Sequence, residues 1–190
     1  MSASIANEAL AIRRDARQLF TSAEVSLAIE GMARELAPRL ADRNPVIVTV
    51  MRGGAFTAAE LCRHFDFPYE VDYVHPTRYG EVIEGAELHW RVRPAPTLSG
   101  RVVLVIDDIL DRGLTLSAIN SELERIGVAQ QLTAVLVVKR LASPVSRPSV
   151  DVVGLEVDDV YVFGSGMDYK GYWRGLPGLY ALATAPAGAP

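Results

Sequence analysis

The sequence has few of the features that mark secreted, membrane-bound or nucleic-acid-binding proteins. It holds one cysteine, Cys62, in 190 residues, so an internal disulfide is excluded. No apolar run approaches the roughly 20 residues of a membrane helix, and the N-terminus lacks the long apolar region of a signal peptide. The net charge of −4 argues against a nucleic-acid footprint or a polybasic membrane patch. We therefore expect a cytoplasmic protein with no nucleic acid or membrane partner.

The composition is that of a single globular domain. With 49% hydrophobic and 22% charged residues, the chain can bury a substantial core. We expect one domain over residues 1–190, with a helical extension at 1–20 and an unstructured Ala/Pro/Gly tail at 184–190. An amphipathic helix is predicted over Asn7–Phe20, with Leu10, Ala11 and Ala16 against its charged residues. Cys62 is predicted to be a buried small hydrophobe rather than a reactive thiol.

The chain is organised around Val102–Thr115, VVLVIDDILDRGLT. Its uninterrupted aliphatic start predicts a parallel strand buried on both faces. An acidic loop follows, and apolar residues at helical spacing then predict a helix that Gly127 ends in a left-handed conformation. Similar buried strands are predicted at Val46–Met51, before Arg52-Gly53-Gly54, and at Leu132–Val138, before Lys139-Arg140. Strands of this type alternating with helices indicate an α/β fold with an open, mostly parallel sheet.

The acidic loop suits a phosphate-bearing substrate. A loop that leads into a helix presents free N–H groups beyond the carboxyl end of a strand, where ligands of open α/β sheets bind. The three carboxylates Asp107, Asp108 and Asp111 beside such a nest fit a substrate that brings Mg²⁺ and sugar hydroxyls with its phosphates. Taken alone, however, such a loop more often only ends a strand, with Asp111 and Thr115 as turn and N-cap residues.

The motif Asp-Asp-Ile-Leu-Asp-Arg-Gly-Leu-Thr after an aliphatic strand resembles the phosphoribosyl pyrophosphate (PRPP) signature of type I phosphoribosyltransferases. The resemblance implies that the first two acids contact the ribose hydroxyls and the metal, and that the loop holds the 5′-phosphate. It also implies that Asp111 is the general base, or hydrogen-bond acceptor, at N7 of a purine. The residues assigned in this way are Asp107, Asp108, Asp111, Arg112, Gly113, Leu114 and Thr115. Arg112 departs from the family pattern, which usually has a small hydroxyl residue there.

Two further segments resemble the parts of this family that bind pyrophosphate and metal. By the resemblance, Arg52 and Gly53 form a pyrophosphate loop, with a non-proline cis peptide expected at Met51-Arg52. The run Val153–Leu176 resembles the last third of the hypoxanthine-guanine enzymes. Its match assigns Asp168 to Mg²⁺, together with Asp107 and Asp108, and Arg174 to pyrophosphate.

The same resemblance implies a purine site and a lid. Lys139 would donate to the exocyclic oxygen of a 6-oxopurine, Tyr161 would stack on the ring and Val162 would offer its carbonyl to the base edge. A small hood is expected, together with a flexible lid and a hood strand at residues 75–95. Arg78 and Tyr79 lie where the family usually has Ser-Tyr, so that Tyr79 matches and Arg78 does not.

The predicted function is that of a 6-oxopurine phosphoribosyltransferase acting on hypoxanthine or guanine with PRPP and Mg²⁺. A xanthine-preferring enzyme and a non-catalytic PRPP-sensing regulator of the same fold remain alternatives. Adenine, orotate and uracil are disfavoured by Lys139 and Tyr161, and the acidic composition argues against a regulator that binds nucleic acid. The resemblance implies a homodimer or homotetramer, with Arg52 and the first helices as candidate interface elements.

Overall fold

The computed structural model describes residues 2–78, 88–142 and 145–183 of the chain. The helices are α1 (Ser2–Asp15), α2 (Ser22–Leu40), α3 (Gly54–Cys62) and α4 (Leu114–Ile126). The strands are β1 (Arg17–Phe20), β2 (Val46–Val50), β3 (Glu70–Arg78), β4 (Leu88–Val92), β5 (Val102–Leu110), β6 (Gln130–Arg140), β7 (Val152–Asp158), β8 (Val162–Phe163) and β9 (Leu179–Ala181). None of the helices in these ranges is long and apolar enough to cross a membrane.

The main sheet has the strand order β4-β3-β2-β5-β6-β7. Strands β3, β2, β5, β6 and β7 pair in parallel, and β4 pairs antiparallel at the edge. Along β5, Leu104 and Ile106 pack with residues of α2 and α3, whereas Val103 and Val105 pack with residues of α4 on the opposite face. This two-sided burial explains the unbroken aliphatic strands. The predicted α/β architecture is confirmed.

Local sequence signals account for the ends of two helices. The Thr21 hydroxyl accepts a hydrogen bond from the Glu24 backbone N–H, and the Glu24 carboxylate accepts one from the Thr21 backbone N–H, which completes a capping box at the start of α2. Gly127 follows α4 with φ of 80°, the left-handed conformation expected there. The left-handed Gly127 confirms the helix end that the sequence predicts.

A small second sheet, which we call the hood sheet, consists of β1, β9 and β8 in that order. It corrects the prediction of a helix over Asn7–Phe20. The helix ends at Asp15, because residues 17–20 pair antiparallel with β9 instead. The buried face of α1 also differs from the prediction, since Ala9 is buried whereas Leu10 is 59% exposed.

Strand β5 is longer than predicted. Asp107 and Asp108 lie inside it, where Asp107 pairs with Val135 of β6, rather than in a loop after it. The connection to α4 is therefore only residues 111–113. Residues 79–87, the middle of the predicted lid at 75–95, and the predicted tail at 184–190 lie outside the described residues.

Candidate active site

A polar cleft of about 490 Å³ lies at the carboxyl ends of β2 and β5. It gathers residues from the separate predicted motifs on β2, β5, the start of α4 and the segment before β9. Predicted site residues that line it are Arg52, Gly53, Asp107, Asp108, Asp111, Arg112, Gly113, Thr115, Asp168 and Arg174. The fold thus places the predicted ribose, phosphate, pyrophosphate and metal residues around one cavity.

Two adjacent carboxylates form the floor of this cleft. Asp107 is 6% exposed and Asp108 is 9% exposed, and the Asp108 backbone N–H donates to Asp107 Oδ1 at 2.9 Å. Burial raises the pKa of Asp107 well above its usual range, and the neighbouring Asp108 charge raises it further. Burial also raises the pKa of Asp108, although its hydrogen bond with Asp107 and the Arg174 charge oppose that shift. A cationic ligand would relieve this electrostatic cost.

The turn between β2 and α3 approaches this floor closely. The Met51–Arg52 peptide bond is cis, as predicted. A Cβ atom on Gly53 would collide with the Asp108 carboxylate, and one on Gly166 would lie 2.5 Å from the Gly53 carbonyl oxygen. The absence of side chains at Gly53 and Gly166 therefore allows the turn between β2 and α3, strand β5 and the segment before β9 to meet at one point.

The loop between β5 and α4 ends in a helix N-terminus that opens on the cleft. Gly113 adopts φ of 80° at the N-cap of α4, a conformation that favours glycine. Thr115 is the second residue of the helix and lines the cleft, so it is not the N-cap of the alternative interpretation. The first N–H groups of a helix lack intrahelical partners, which makes this end suitable for a phosphate. Arg112 and Leu114 are both exposed.

Asp168 and Arg174 form an ion pair across the cleft from β5. Arg174 Nη2 lies 2.5 Å from Asp168 Oδ1, and Arg174 Nη1 lies 4.0 Å from Asp108 Oδ2. Arg174 Nη1 also donates to the Gly166 carbonyl oxygen at 2.6 Å. The predicted metal and pyrophosphate residues are thus brought together, with Arg174 held between two carboxylates.

The predicted purine residues border the same region. Lys139 Nζ lies 3.4 Å from Asp111 Oδ2 and 3.6 Å from Asp159 Oδ1. The Tyr161 hydroxyl donates to the Asp168 carbonyl oxygen at 3.0 Å, and burial raises the pKa of that hydroxyl. Val162 begins β8 with its side chain buried. The base-recognition roles of Lys139, Tyr161 and Val162 stay predictions.

Arg147 and Asp159 also belong to this region, and sequence reasoning missed both. Arg147 Nη1 donates to the carbonyl oxygens of Asp111 at 3.0 Å and Lys139 at 2.9 Å, and these two hydrogen bonds connect the loop between β5 and α4 to the end of β6. Arg147 lies in a loop rich in serine and proline, where no periodicity marks a residue. Asp159 follows another aspartate at the end of β7 and is not distinguished from it by any pattern.

The structure describes the two predicted lid residues only in part. Arg78 ends β3 and its side chain, like all of Tyr79, lies outside the described part of the chain.

Within the described ranges, no group of three or more His, Cys, Asp or Glu residues could hold a metal ion. The protein oxygen ligands available are the paired Asp107 and Asp108 and, across the cleft, Asp168, which suits a cation whose remaining ligands come from substrate and water.

Comparison with known proteins identifies the class of this site. Residues 15–170 match the phosphoribosyl transferase domain family. The chain is 30% identical over 168 residues to the hypoxanthine-guanine phosphoribosyltransferase of Bacillus subtilis, covering 88% of this chain and 93% of that one. The chain therefore belongs to the phosphoribosyltransferase family.

Further similarities fall within one branch of that family. The hypoxanthine-guanine-xanthine phosphoribosyltransferase of Tritrichomonas foetus is 29% identical over 161 residues, which cover 85% of this chain and 88% of that protein. The crystal structure of a hypoxanthine phosphoribosyltransferase from Staphylococcus aureus superimposes with a TM-score of 0.83, at 23% identity, and covers 90% of this chain and 94% of that one. This structural likeness supports the same fold.

Proposed function

We propose that this protein is a purine-salvage phosphoribosyltransferase that converts hypoxanthine or guanine and PRPP to the nucleoside monophosphate and pyrophosphate. The observation that carries the proposal is the meeting of Asp111 and Lys139, 3.4 Å apart, beside a buried carboxylate pair and a helix N-terminus. One cleft thereby offers groups for a base, a ribose and a phosphate.

The phosphoribosyl group fits the loop between β5 and α4. The 5′-phosphate would accept hydrogen bonds from backbone N–H groups of Arg112, Gly113, Leu114 and Thr115, where the positive end of the helix dipole favours an anion. Asp107 and Asp108 would accept hydrogen bonds from the ribose hydroxyls. Arg52, Gly53 and Arg174 would hold the pyrophosphate, and for Arg174 this requires exchange of a carboxylate partner for a pyrophosphate oxygen.

Magnesium is the metal that these residues fit best. Asp107, Asp108 and Asp168 offer hard oxygen ligands, and the raised pKa values of the first two reflect charge that a dication would stabilise. When bound there with PRPP, Mg²⁺ supplies charge neutralisation for the departing pyrophosphate.

The base would be held by Lys139, Tyr161 and Val162. Lys139 would donate to the exocyclic oxygen of a 6-oxopurine, with Tyr161 against the ring and the Val162 carbonyl at its edge. As the bond from purine N9 to C1 of the ribose forms and the bond to pyrophosphate breaks, positive charge develops on the ring. Asp111 would then accept the proton of N7, or a hydrogen bond from it.

A predominantly xanthine-using enzyme is the second candidate, and the Tritrichomonas foetus relative, whose name includes xanthine, supports it. A spectrophotometric assay of hypoxanthine, guanine, xanthine and adenine, each with PRPP and Mg²⁺, separates the candidates. We expect turnover of hypoxanthine or guanine and none of adenine. PRPP binding without turnover of any base would favour a regulator instead.

We further propose that residues 75–95 act as a lid over the cleft, because an oxocarbenium-like centre formed there must be protected from water.

We also propose that the chain forms a homodimer or homotetramer. Exposed apolar side chains on α2, α3 and β3 support association, namely Leu27, Phe56, Val71 and Tyr73. Light scattering of the full chain tests the oligomer, and a monomer at assay concentration would contradict it.

A further inference from the structure

All of helix α1 except its last residue, Asp15, precedes the part of the chain that matches the family, which begins at residue 15. Its described residues nevertheless contact the segment 168–174, which carries Asp168 at one end and Arg174 at the other. This segment is short, and both of its ends line the cleft.

Glu8 makes the first contact between α1 and this segment. Its carboxylate accepts hydrogen bonds from the Tyr169 hydroxyl at 2.6 Å and from Lys170 Nζ at 2.7 Å. Lys170 and Tyr169 hydrogen bonds both lower the pKa of Glu8, so the carboxylate is ionised at neutral pH. Tyr169 is only 4% exposed and follows Asp168 directly in the sequence. Glu8 therefore holds the neighbour of Asp168, the candidate metal ligand.

A second contact holds the other end of the segment. The Trp173 indole N–H donates to the Ala9 carbonyl oxygen at 2.8 Å. Ala9 is itself 1% exposed and packs in the same cluster as Tyr169 and Tyr180. Trp173 directly precedes Arg174 in the sequence. Helix α1 therefore contacts the immediate sequence neighbours of both Asp168 and Arg174.

The backbone of the segment needs such support. Lys170 has φ of 48° and Trp173 has φ of 72°, which are uncommon values for residues with side chains. Mutual hydrogen bonds join the N–H and C=O groups of Tyr169 and Tyr172, so the segment is a tight turn. Unfavourable backbone conformations persist only where surrounding contacts over-determine them.

We propose that α1 is a positioning element for Asp168 and Arg174, with Glu8 as the positioning residue, and that it thereby sets the affinity of the cleft for magnesium pyrophosphate. This inference rests on the proposed function, since it assigns Asp168 and Arg174 to that ligand. Glu8 itself touches neither of them.

The test compares full-length variants. Glu8→Ala removes both hydrogen bonds, whereas Glu8→Gln keeps an acceptor for Tyr169 but loses the charge that pairs with Lys170. Trp173→Phe removes the indole donor and keeps an aromatic ring, and provides an independent variant should Glu8→Ala fold poorly. Arg14→Ala is the matched control on the same helix, because Arg14 is exposed and pairs only with its neighbour Asp15 in the described structure.

Isothermal titration with pyrophosphate and Mg²⁺ reads the affinity without turnover, and steady-state kinetics then separate the substrates. We expect Glu8→Ala to bind magnesium pyrophosphate about tenfold more weakly and to raise KM for PRPP similarly, with KM for the purine within about twofold. Glu8→Gln should fall between Glu8→Ala and the wild type, Trp173→Phe should show the same selectivity, and Arg14→Ala should match the wild type.

Three results would overturn the inference. One is unchanged pyrophosphate affinity in both Glu8→Ala and Trp173→Phe. Another is a fall in kcat with similar rises in KM for both substrates and a lower Tm, which would indicate a purely structural helix. The last is a wild type that binds no magnesium pyrophosphate. A wild type that binds pyrophosphate but turns over no purine would contradict the proposed function alone, and the binding comparison would still decide the role of α1.

Discussion

Replacing Asp107 by Asn should stabilise the fold and impair the activity. Asp107 is 6% exposed, and both burial and the adjacent Asp108 raise its pKa well above the usual range. An Asn keeps the volume and still accepts the Asp108 backbone N–H that now lies 2.9 Å from Asp107 Oδ1. Its amide can also donate to the adjacent Asp108 carboxylate. The substitution therefore removes a carboxyl group that is costly to ionise in the folded protein, without leaving an unpaired polar group.

The expected gain at pH 7 follows from this desolvation. An unfavourably buried polar or charged group costs about 1–3 kcal/mol, and a chain of this size gains about 2–4 °C in Tm per kcal/mol. We therefore expect the Tm of Asp107→Asn to exceed that of the wild type by about 2–12 °C. Catalytic efficiency should fall by about tenfold or more, because Asp107 is proposed to bind ribose and metal.

The pH dependence of this gain provides the sharper test. A carboxyl group whose pKa is raised by folding favours the folded state most below its unfolded-state pKa of 3.8, and this contribution is lost as the pH rises through the folded-state value. The advantage of Asp107→Asn should therefore be largest near pH 7 and shrink as the pH falls towards 4.

Thermal unfolding of both proteins from pH 4 to 8, followed by circular dichroism without metal, measures this difference. Asp42→Asn is the control, since Asp42 is exposed and its replacement should leave Tm within about 1 °C. A Tm for Asp107→Asn equal to or below that of the wild type at pH 7, or a gain that grows on acidification, would refute the reasoning.

Three other substitutions or modifications have defined outcomes. Asp111→Asn should lower kcat far more than it raises KM for PRPP in steady-state assays, because the carboxylate is proposed to accept from purine N7 in the transition state; equal losses of turnover and of PRPP affinity would count against that role. Gly53→Ala should raise KM for PRPP at least about tenfold and lower Tm, because its Cβ would meet the Asp108 carboxylate, and wild-type values for both would show that the turn relaxes freely. Partial burial raises the pKa of the half-buried Cys62 thiol above its usual value, so at pH 8 iodoacetamide should alkylate native protein much more slowly than unfolded protein, as read by mass spectrometry; equal rates would mean that the thiol is accessible.

Much of the central sheet could be predicted because its strands are buried on both faces. Such strands are almost entirely aliphatic, so Val102–Ile106 and Val46–Val50 stand out in the sequence. The extension of β5 through Asp107 and Asp108 could not be foreseen in the same way, since the pattern loses its aliphatic character there. What keeps the backbone extended is continued pairing with β6, as at Asp107 and Val135, which is a long-range contact.

The hood sheet shows a different limit. Arg17–Phe20 continues the sequence pattern of α1, and only its partner β9, about 160 residues further along the chain, makes it a strand. Tertiary pairing thus overrides a local helical preference. The contacts of Glu8 with Tyr169 and Lys170 are equally long-range, whereas those of Arg147 and Asp159 join nearer parts of the chain. No spacing rule marks these side chains. Arg112, by contrast, is exposed, and nothing in the structure explains its departure from the family pattern.

The most direct test of the central claim is initial-rate turnover of hypoxanthine and guanine by the full chain with PRPP and Mg²⁺, followed by ultraviolet absorbance. The account predicts formation of the nucleoside monophosphate and stoichiometric pyrophosphate from at least one of the two bases, abolished by chelation of the metal. No turnover of either base under these conditions, with the protein folded and PRPP bound, would contradict it.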